Sequence, residues 1–416
     1  MADVHRIRPR SAIVVGAGIV GLSTAWFLQE HGVSVTVVDR TGVAAGASWG
    51  NAGWIAPALS VPLNDPRTLR SVLRSLPNRA APVRIPLSTD PTLWKFLLRF
   101  SANCRESSWT RAVRANQTLN HECMAAYDEL VSNGVDAPIT DAPIIALFRS
   151  SADAEHLLDQ LQRLHDAGQA SSSTELTAAE LHEQVPLASS GVAVGVRING
   201  QRFVDPGRFV HALASSIVER GGALETVDVA DVRASENGVV VQPANGSELT
   251  ADVAVIATGA WLTKLVRRWV RVPVQAGRGY SFTVPVDRQV FGPIYLPDAR
   301  VACTPLNGKL RVTSMMELCR PDAPASAGVV DAMVGATGQF LAGIRWAERD
   351  DVWVGPRPLS PDGRPLVGPV LDNRIFVAGG HGMWGMKQGP ATGRLLAEQI
   401  TTGTPPPGLR DFDPLR

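Results

Sequence analysis

Gly16, Gly18 and Gly21 stand in the spacing G-x-G-x-x-G, and Asp39 comes 18 residues after the third of them. Residues of these types at this spacing can hold a dinucleotide. Gly16 permits a tight turn, Gly18 lets the backbone approach a pyrophosphate, and Gly21 lets the next helix pack closely on a sheet. Ala17, Ile19 and Val20 fill the same turn, at a helix start whose N–H groups face negative charge, and Asp39, with Arg40 beside it, can accept both ribose hydroxyls. Which dinucleotide is bound is decided by the residues after Arg40. Gly46, Ala47, Ser48, Asn51, Ala52 and Gly53 form a small-residue loop suited to wrapping a second stretch of pyrophosphate and reaching a flavin ring, and NAD enzymes need no such loop. Thr258, Gly259 and Trp261 close a later strand and again offer backbone to a ligand. A further glycine loop runs from Gly379 to Lys387, and Gly389-Pro390 after it reads as a helix start with proline near its first position.

These residues need a scaffold. Ala12 to Val15 and Ser34 to Val38 read as short buried strands flanking a helix from Leu22 to His31, a βαβ unit that implies a parallel sheet. Residues 57 to 90 are proline-rich and irregular, helical patterns run on to about Leu130, and Ala154, Leu157, Leu158 and Leu161 mark another helix. Asp205-Pro206 is an N-cap and first-position pair for a helix with Phe209, Ala212, Leu213 and Ile217 on one face. Thr226 to Val232, Val239 to Gln242 and Val253 to Ala257 are β-rich, with Asn237-Gly238 as a hairpin turn.

The chain has 416 residues, 45% hydrophobic and 19% charged, with 38 glycines and 30 prolines, which excludes disorder, collagen and coiled coil. No stretch has the ~18 uninterrupted apolar residues of a membrane span. Residues 1–10 carry no apolar leader, and Cys104, Cys123, Cys303 and Cys319 lack C-x-x-C spacing. A cytoplasmic protein without metal or export is the expectation. The net charge of +1 implies no bulk polyanion partner, yet between Arg67 and Arg114 nine arginines and one lysine face only Asp90 and Glu106. Leu93, Phe96, Leu97 and Phe100 make Pro91 to Asn103 an amphipathic helix there. The basic segment, residues 67–114, reads as a solvated helix face or as a weak contact with the inner surface of a membrane; no stacking platform accompanies it, so nucleic acid is not expected.

With these motifs in order, the sequence resembles the FAD-dependent amino-acid oxidoreductases of the D-amino-acid oxidase superfamily, and within it the D-amino-acid dehydrogenases and glycine oxidases. The resemblance spans nearly the whole chain and rests on VVGAGIVGLSTAWFL, VVDR, GASWGNAGWIAP, FVDPGRFVHAL, VAVIATGAW, VGPRPLSPDGRPLVGP and VAGGHGMWGMKQGPATGRLLAEQI, in family order. It implies an α/β fold: a discontinuous Rossmann-type FAD-binding domain from residues 1–64, 205–272 and 352–416. Residues 65–204 and 273–351 would form a mostly antiparallel-sheet α+β substrate domain. It also implies non-covalent FAD, with Val229 touching adenine through its backbone. Gly380 and His381 would belong to the cofactor site, and Gly382, Met383, Trp384, Gly385 and Met386 would meet the pyrimidine side of the flavin.

Arg357 matches the family arginine that forks a substrate carboxylate, a task suited to paired donors in a planar guanidinium. Arg278 and Arg311 compete with it. Tyr280 and Tyr295 are candidates for bonding a substrate amine or carboxylate, His381 is a weaker candidate base, and Met315, Met316 and Trp384 are candidates for an apolar wall. Met383 stands where glycine oxidases carry a second arginine, and Lys387 is charged where a neutral residue is expected, so that it either stabilises reduced flavin or faces solvent. The implied reaction is oxidation of a C–N bond next to a carboxylate, in a D-amino acid or N-substituted glycine, by hydride transfer to flavin N5 and hydrolysis of the imine. The alternatives are 2-hydroxy-acid oxidation on the same fold, and a membrane-docked D-amino-acid dehydrogenase passing electrons to quinone rather than oxygen.

Overall fold

The computed structural model describes residues 8–67, 83–85 and 88–416. Six strands form one sheet in the order Ala223–Thr226, Ser34–Asp39, Ser11–Val15, Val253–Ile256, Ile375–Gly379 and Leu366–Leu371. All neighbours are parallel except the last pair. Such strands are apolar on both faces because both are covered. Ala12, Val14, Val35 and Val37 serve one core, and Ile13, Val15, Val38 and Ile256 serve the other. The chain leaves strand Ser11–Val15 at the point where its two neighbours were reached in opposite directions, so the glycine turn opens at the crevice where α/β sheets bind ligands.

Helix Ile19–Glu30 packs on this sheet with the C-terminal helix Gly385–Thr402 and the long helix Glu106–Ser132. The expectation for residues 65–204 is that they belong wholly to the substrate domain. Instead Leu119, Cys123, Tyr127 and Leu130 of the long helix share the dinucleotide-domain core. Helix Gly385–Thr402 also starts earlier than its proline implies, with Pro390 inside it. Proline cannot donate to the carbonyl four residues back, which is that of Met386. That carbonyl is taken instead by the buried Tyr127 hydroxyl, at 2.7 Å.

The second sheet is mostly antiparallel, in the order Asp350–Leu359, Gln275–Pro285, Lys309–Leu318, Val301–Leu306, Ile294–Leu296, Ile144–Phe148, Val194–Ile198 and Ser173–Leu176. Val83–Arg84 pairs beside Lys309–Leu318. Strand Asp350–Leu359 forms its edge, so this sheet runs past the expected division at residue 352. The Asp205 carboxylate caps helix Pro206–Glu219 through Arg208 N–H at 3.2 Å, and Asn237 turns the hairpin between Val229–Ser235 and Gly238–Pro243. The expected single strand across Thr226 to Val232 is two, because Ala223–Thr226 joins the parallel sheet and Val229 begins a separate three-stranded one.

Residues 68–82 and 86–87 of the basic segment, with Arg70, Arg74 and Arg79, lie outside the described residues. Of its described part, Arg67 pairs with Asp159, Arg84 with Glu317, and Arg99 donates to the Arg271 carbonyl at 2.9 Å. Helix Pro91–Asn103 buries Leu93 and Phe96 and exposes Trp94 and Leu98. Among the described residues no helix is long and apolar enough to cross a membrane.

Candidate active site

One cavity receives the ends of both sheets. Its dinucleotide wall includes Gly16, Gly18, Ile19, Val20, Asp39 and Arg40, with Gly46, Ala47, Ser48 and Asn51 from the small-residue loop. Val229, Thr258, Gly259 and Trp261 line it as well, as do Arg357, His381, Gly382, Gly385 and Met386. Ala17, Gly21, Ala52, Gly53, Gly380, Met383 and Trp384 are not among the lining residues, and several of them support the wall from behind. Ala17 N–H donates to Asp39 at 3.0 Å, fixing the carboxylate, and Gly53 N–H donates to Asn51 Oδ1 at 2.9 Å. The Thr304 hydroxyl donates to the Ala52 carbonyl at 2.7 Å, tying the loop to the second sheet.

The wall fits a pyrophosphate. Helix Ile19–Glu30 starts at Gly18 in extended conformation, without a side-chain cap and without an acid in its first turn. One first-turn donor, Ile19 N–H, is taken by Ser48 Oγ at 3.1 Å. The remaining first-turn N–H groups have no partner within the helix, and the helix dipole favours an anion there. FAD would be held by this turn, by Asp39 at the ribose and by the Gly46–Asn51 loop.

Arg357 reaches the cavity from strand Asp350–Leu359 of the second sheet. Its Nη1 donates to the Met315 carbonyl at 2.8 Å, and a side chain at Gly279 would place Cβ 2.3 Å from the guanidinium carbon, so glycine there lets the group lie flat across the strand. Met315 is left-handed, φ 65°, at an irregularity where the pairing of Gln275–Pro285 with Lys309–Leu318 shifts register. That turn aims its carbonyl at Arg357. Among the described residues Arg357 has no carboxylate partner, and loss of water lowers its guanidinium to about 10, still charged at neutral pH. A cation so placed is stabilised by an incoming anion.

The other candidates go elsewhere. The Tyr280 hydroxyl donates to Glu317 at 3.0 Å and accepts from Ser326 N–H at 2.8 Å, inside the core of the second sheet. Tyr295 packs edge-on against Trp54, and burial raises its phenol. Arg278 donates to the Pro324 carbonyl at 2.8 Å. Arg311 donates to the Trp49 carbonyl at 2.8 Å and lies over the Trp49 ring, which makes it a fastener between sheet and loop. Met316 and Met383 join Phe96 and Leu359 in an apolar cluster. His381 reaches Thr392 Oγ1 at 2.9 Å through Nε2, its Nδ1 has no partner among the described residues, and burial holds the ring near 3 and therefore neutral.

Lys387 points neither to solvent nor into the cavity. Its buried ammonium contacts Ser60 Oγ and sits 4.7 Å from the Trp384 ring centre, and burial pushes it down to about 7 while Cys123 opposes the shift. The unfolded chain therefore binds more protons between about 7 and the ordinary value of 10.5, and stability rises with pH across that window. Lys387→Met is expected to raise Tm by roughly 5 °C at pH 7 or below, the gain fading toward pH ~10.5. Calorimetry across pH tests this, and an equal gain at every pH would exclude the ammonium charge as the cause.

Sequence reasoning missed Asp322, Pro321 and Lys264, which also line the cavity. No motif marks them; a lone acid between prolines carries no local signal.

Residues 11–399 match the model of a family described as DAO, FAD dependent oxidoreductase. The chain is 29% identical over 412 residues to D-amino acid dehydrogenase of Vibrio vulnificus (strain YJ016), covering 94% of this chain and 95% of that one. It is likewise 29% identical over 410 residues to the enzyme of that name from Methylobacterium nodulans, covering 94% and 96%. Glycine oxidase from Geobacillus kaustophilus shares the fold with a TM-score of 0.74 at 22% identity, covering 98% of this chain and 99% of that one. Iminodiacetate oxidase from Chelativorans sp. BNC1 does so with a TM-score of 0.69 at 19% identity, covering 95% and 96%. With its glycine turn and two-sheet architecture, and a family match over residues 11–399, this chain belongs to the DAO family of FAD-dependent oxidoreductases.

Proposed function

We propose that the protein oxidises the C–N bond beside the carboxylate of a small amino acid, either a D-amino acid or an N-substituted glycine. The observation that carries this reading is Arg357: a charged guanidinium without a carboxylate partner among the described residues, flat on Gly279, lining the same cavity as Asp39. Its position in the family motif and the names of the relatives support the same substrate class.

FAD, when bound, supplies the two-electron acceptor. The chain supplies position. Arg357 binds the carboxylate through its paired donors, which fixes the Cα–N bond relative to the cavity end lined by Gly382, Gly385 and Met386. The first turn of the C-terminal helix, Gly385 onward, presents N–H groups that stabilise negative charge at this end. His381, whose basicity burial lowers and whose Nε2 is engaged by Thr392, and Lys387, which is turned away from the cavity, are poor acceptors for a substrate proton. The amine therefore arrives in its neutral form, and the reaction needs no protein nucleophile. Met383 does not line the cavity and adds no second cation beside Arg357, which supports a substrate with a single carboxylate.

The test is anaerobic mixing of the yellow holoprotein with D-amino acids, N-substituted glycines and 2-hydroxy acids, watching the oxidised flavin band near ~450 nm. Bleaching by an amine class is the expected result, and readmitted air then separates an oxidase from a dehydrogenase that hands electrons to quinone. Bleaching by hydroxy acids alone would overturn the amine reading.

A further inference from the structure

We propose that residues 319–328, between strand Lys309–Leu318 and helix Val329–Gly338, form a strap by which the substrate side of the molecule clasps FAD at the Asp39 end of the cavity, with Asp322 as the clasp. The strap depends on the family's cofactor and not on the identity of the substrate.

The root of the strap is held by buried polar groups. Gln275 Nε2 donates to the Cys319 carbonyl at 2.8 Å and Arg278 Nη1 to the Pro324 carbonyl at 2.8 Å. The Tyr280 hydroxyl accepts from Ser326 N–H at 2.8 Å, and Ser326 Oγ donates to Glu317 at 2.7 Å. Gln275, Arg278, Tyr280 and Glu317 are all buried. Two residues that the sequence offered as substrate ligands, Arg278 and Tyr280, are thus spent on holding this segment.

The tip crosses to the dinucleotide side. Trp261 Nε1 donates to both Asp322 oxygens, at 3.1 and 2.9 Å, and Arg40 pairs with the same carboxylate at 3.2 Å while lying 4.2 Å over the Trp261 ring. Arg40, Trp261, Pro321 and Asp322 all line the cavity, and Arg40 adjoins the ribose acid Asp39. The Asp322 side chain is 65% exposed. A firm root with a solvent-facing tip is a strap that opens at the clasp without disturbing the core, because exposed ion pairs are weak and buried polar networks are not. Release of FAD then requires the clasp to part, and the clasp residues set how fast that happens.

The experiment measures FAD release from holoprotein, by the fluorescence of freed flavin after dilution, for Asp322→Ala, Asp322→Asn and Trp261→Phe. Asp322→Ala is expected to release FAD about tenfold faster. Asp322→Asn should fall between, since an amide oxygen still accepts from Trp261 but no longer pairs with Arg40, and combining Trp261→Phe with Asp322→Ala should add little to either alone. The Tm of the apoprotein should stay at the wild-type value in all three. Release within twofold of wild type for Asp322→Ala overturns the proposal. An equal fall in apoprotein and holoprotein Tm overturns it too, by making Asp322 a structural residue.

Discussion

Arg357→Met is expected to lower kcat/KM for the amino-acid substrate by about 10³-fold, with the flavin spectrum and FAD content unchanged. The size comes from what is removed. A buried carboxylate left without its cation loses several kcal/mol, and each ~1.4 kcal/mol is tenfold. Arg357→Lys keeps the charge but loses the planar fork and the bond to the Met315 carbonyl, so a loss nearer ~10²-fold is expected, expressed in KM as well as kcat because the carboxylate is then free to swing. FAD content should survive both changes, because the glycine turn, Asp39 and the Gly46–Asn51 loop are left intact by them. Steady-state kinetics on the amine identified by flavin bleaching, with the absorbance spectrum as control, decide the matter. Near wild-type kcat/KM in Arg357→Met would show that the substrate carboxylate is bound elsewhere.

The second large effect concerns the cofactor. Gly21→Ala would place Cβ 2.0 Å from the Gly16 carbonyl oxygen, and Gly16→Ala would place it 2.5 Å from the Ala257 carbonyl oxygen at a φ of 118°. Both obstacles are backbone, so no side chain can swing aside. The first helix must back away from the turn, taking its N–H groups from the pyrophosphate. Either variant is expected to lose about 4 kcal/mol or more of stability and to purify colourless or aggregated. Gly32→Ala is the control: it also has positive φ, 77°, but nothing lies within 4 Å of its Cβ, so it should cost only about 1 kcal/mol and stay yellow. Flavin-to-protein absorbance ratios and Tm values compare the three. A yellow Gly21→Ala protein with wild-type Tm would refute the close packing at this turn.

Much of the dinucleotide half was legible because its signals are local. A strand, a glycine turn, a helix and an acid lie within residues 11–39, and their spacing alone brings Gly16, Gly18 and Asp39 to one crevice. The amphipathic pattern at Pro91–Asn103 and the Asp205 cap were legible for the same reason. The substrate side was not. Arg278, Tyr280, Arg311 and Arg357 look equally eligible along the chain, and which of them faces the cavity depends on strand parity. The left-handed residue Met315 shifts the register between two strands. On either side of that shift Arg278 and Tyr280 are engaged by the 319–328 segment and Glu317, while Arg357 lines the cavity and meets the Met315 carbonyl.

Lys387 turned on a similar matter of register. With the C-terminal helix starting at Gly385 rather than at Pro390, position 387 rotates into the interior against Ser60, and the carbonyl freed by Pro390 is recovered by Tyr127, more than 250 residues away in sequence. Asp322 had no signal at all, since its partners Arg40 and Trp261 meet it only across two separately built sheets. The cofactor-binding turn, the family and the class of chemistry are therefore written in the order of residues, because they rest on short-range spacing and backbone sterics. Which arginine lines the cavity and which residues bridge from the second sheet to Arg40 and Trp261 are decided only in the folded chain, because they depend on long-range pairing and on one left-handed residue in a strand.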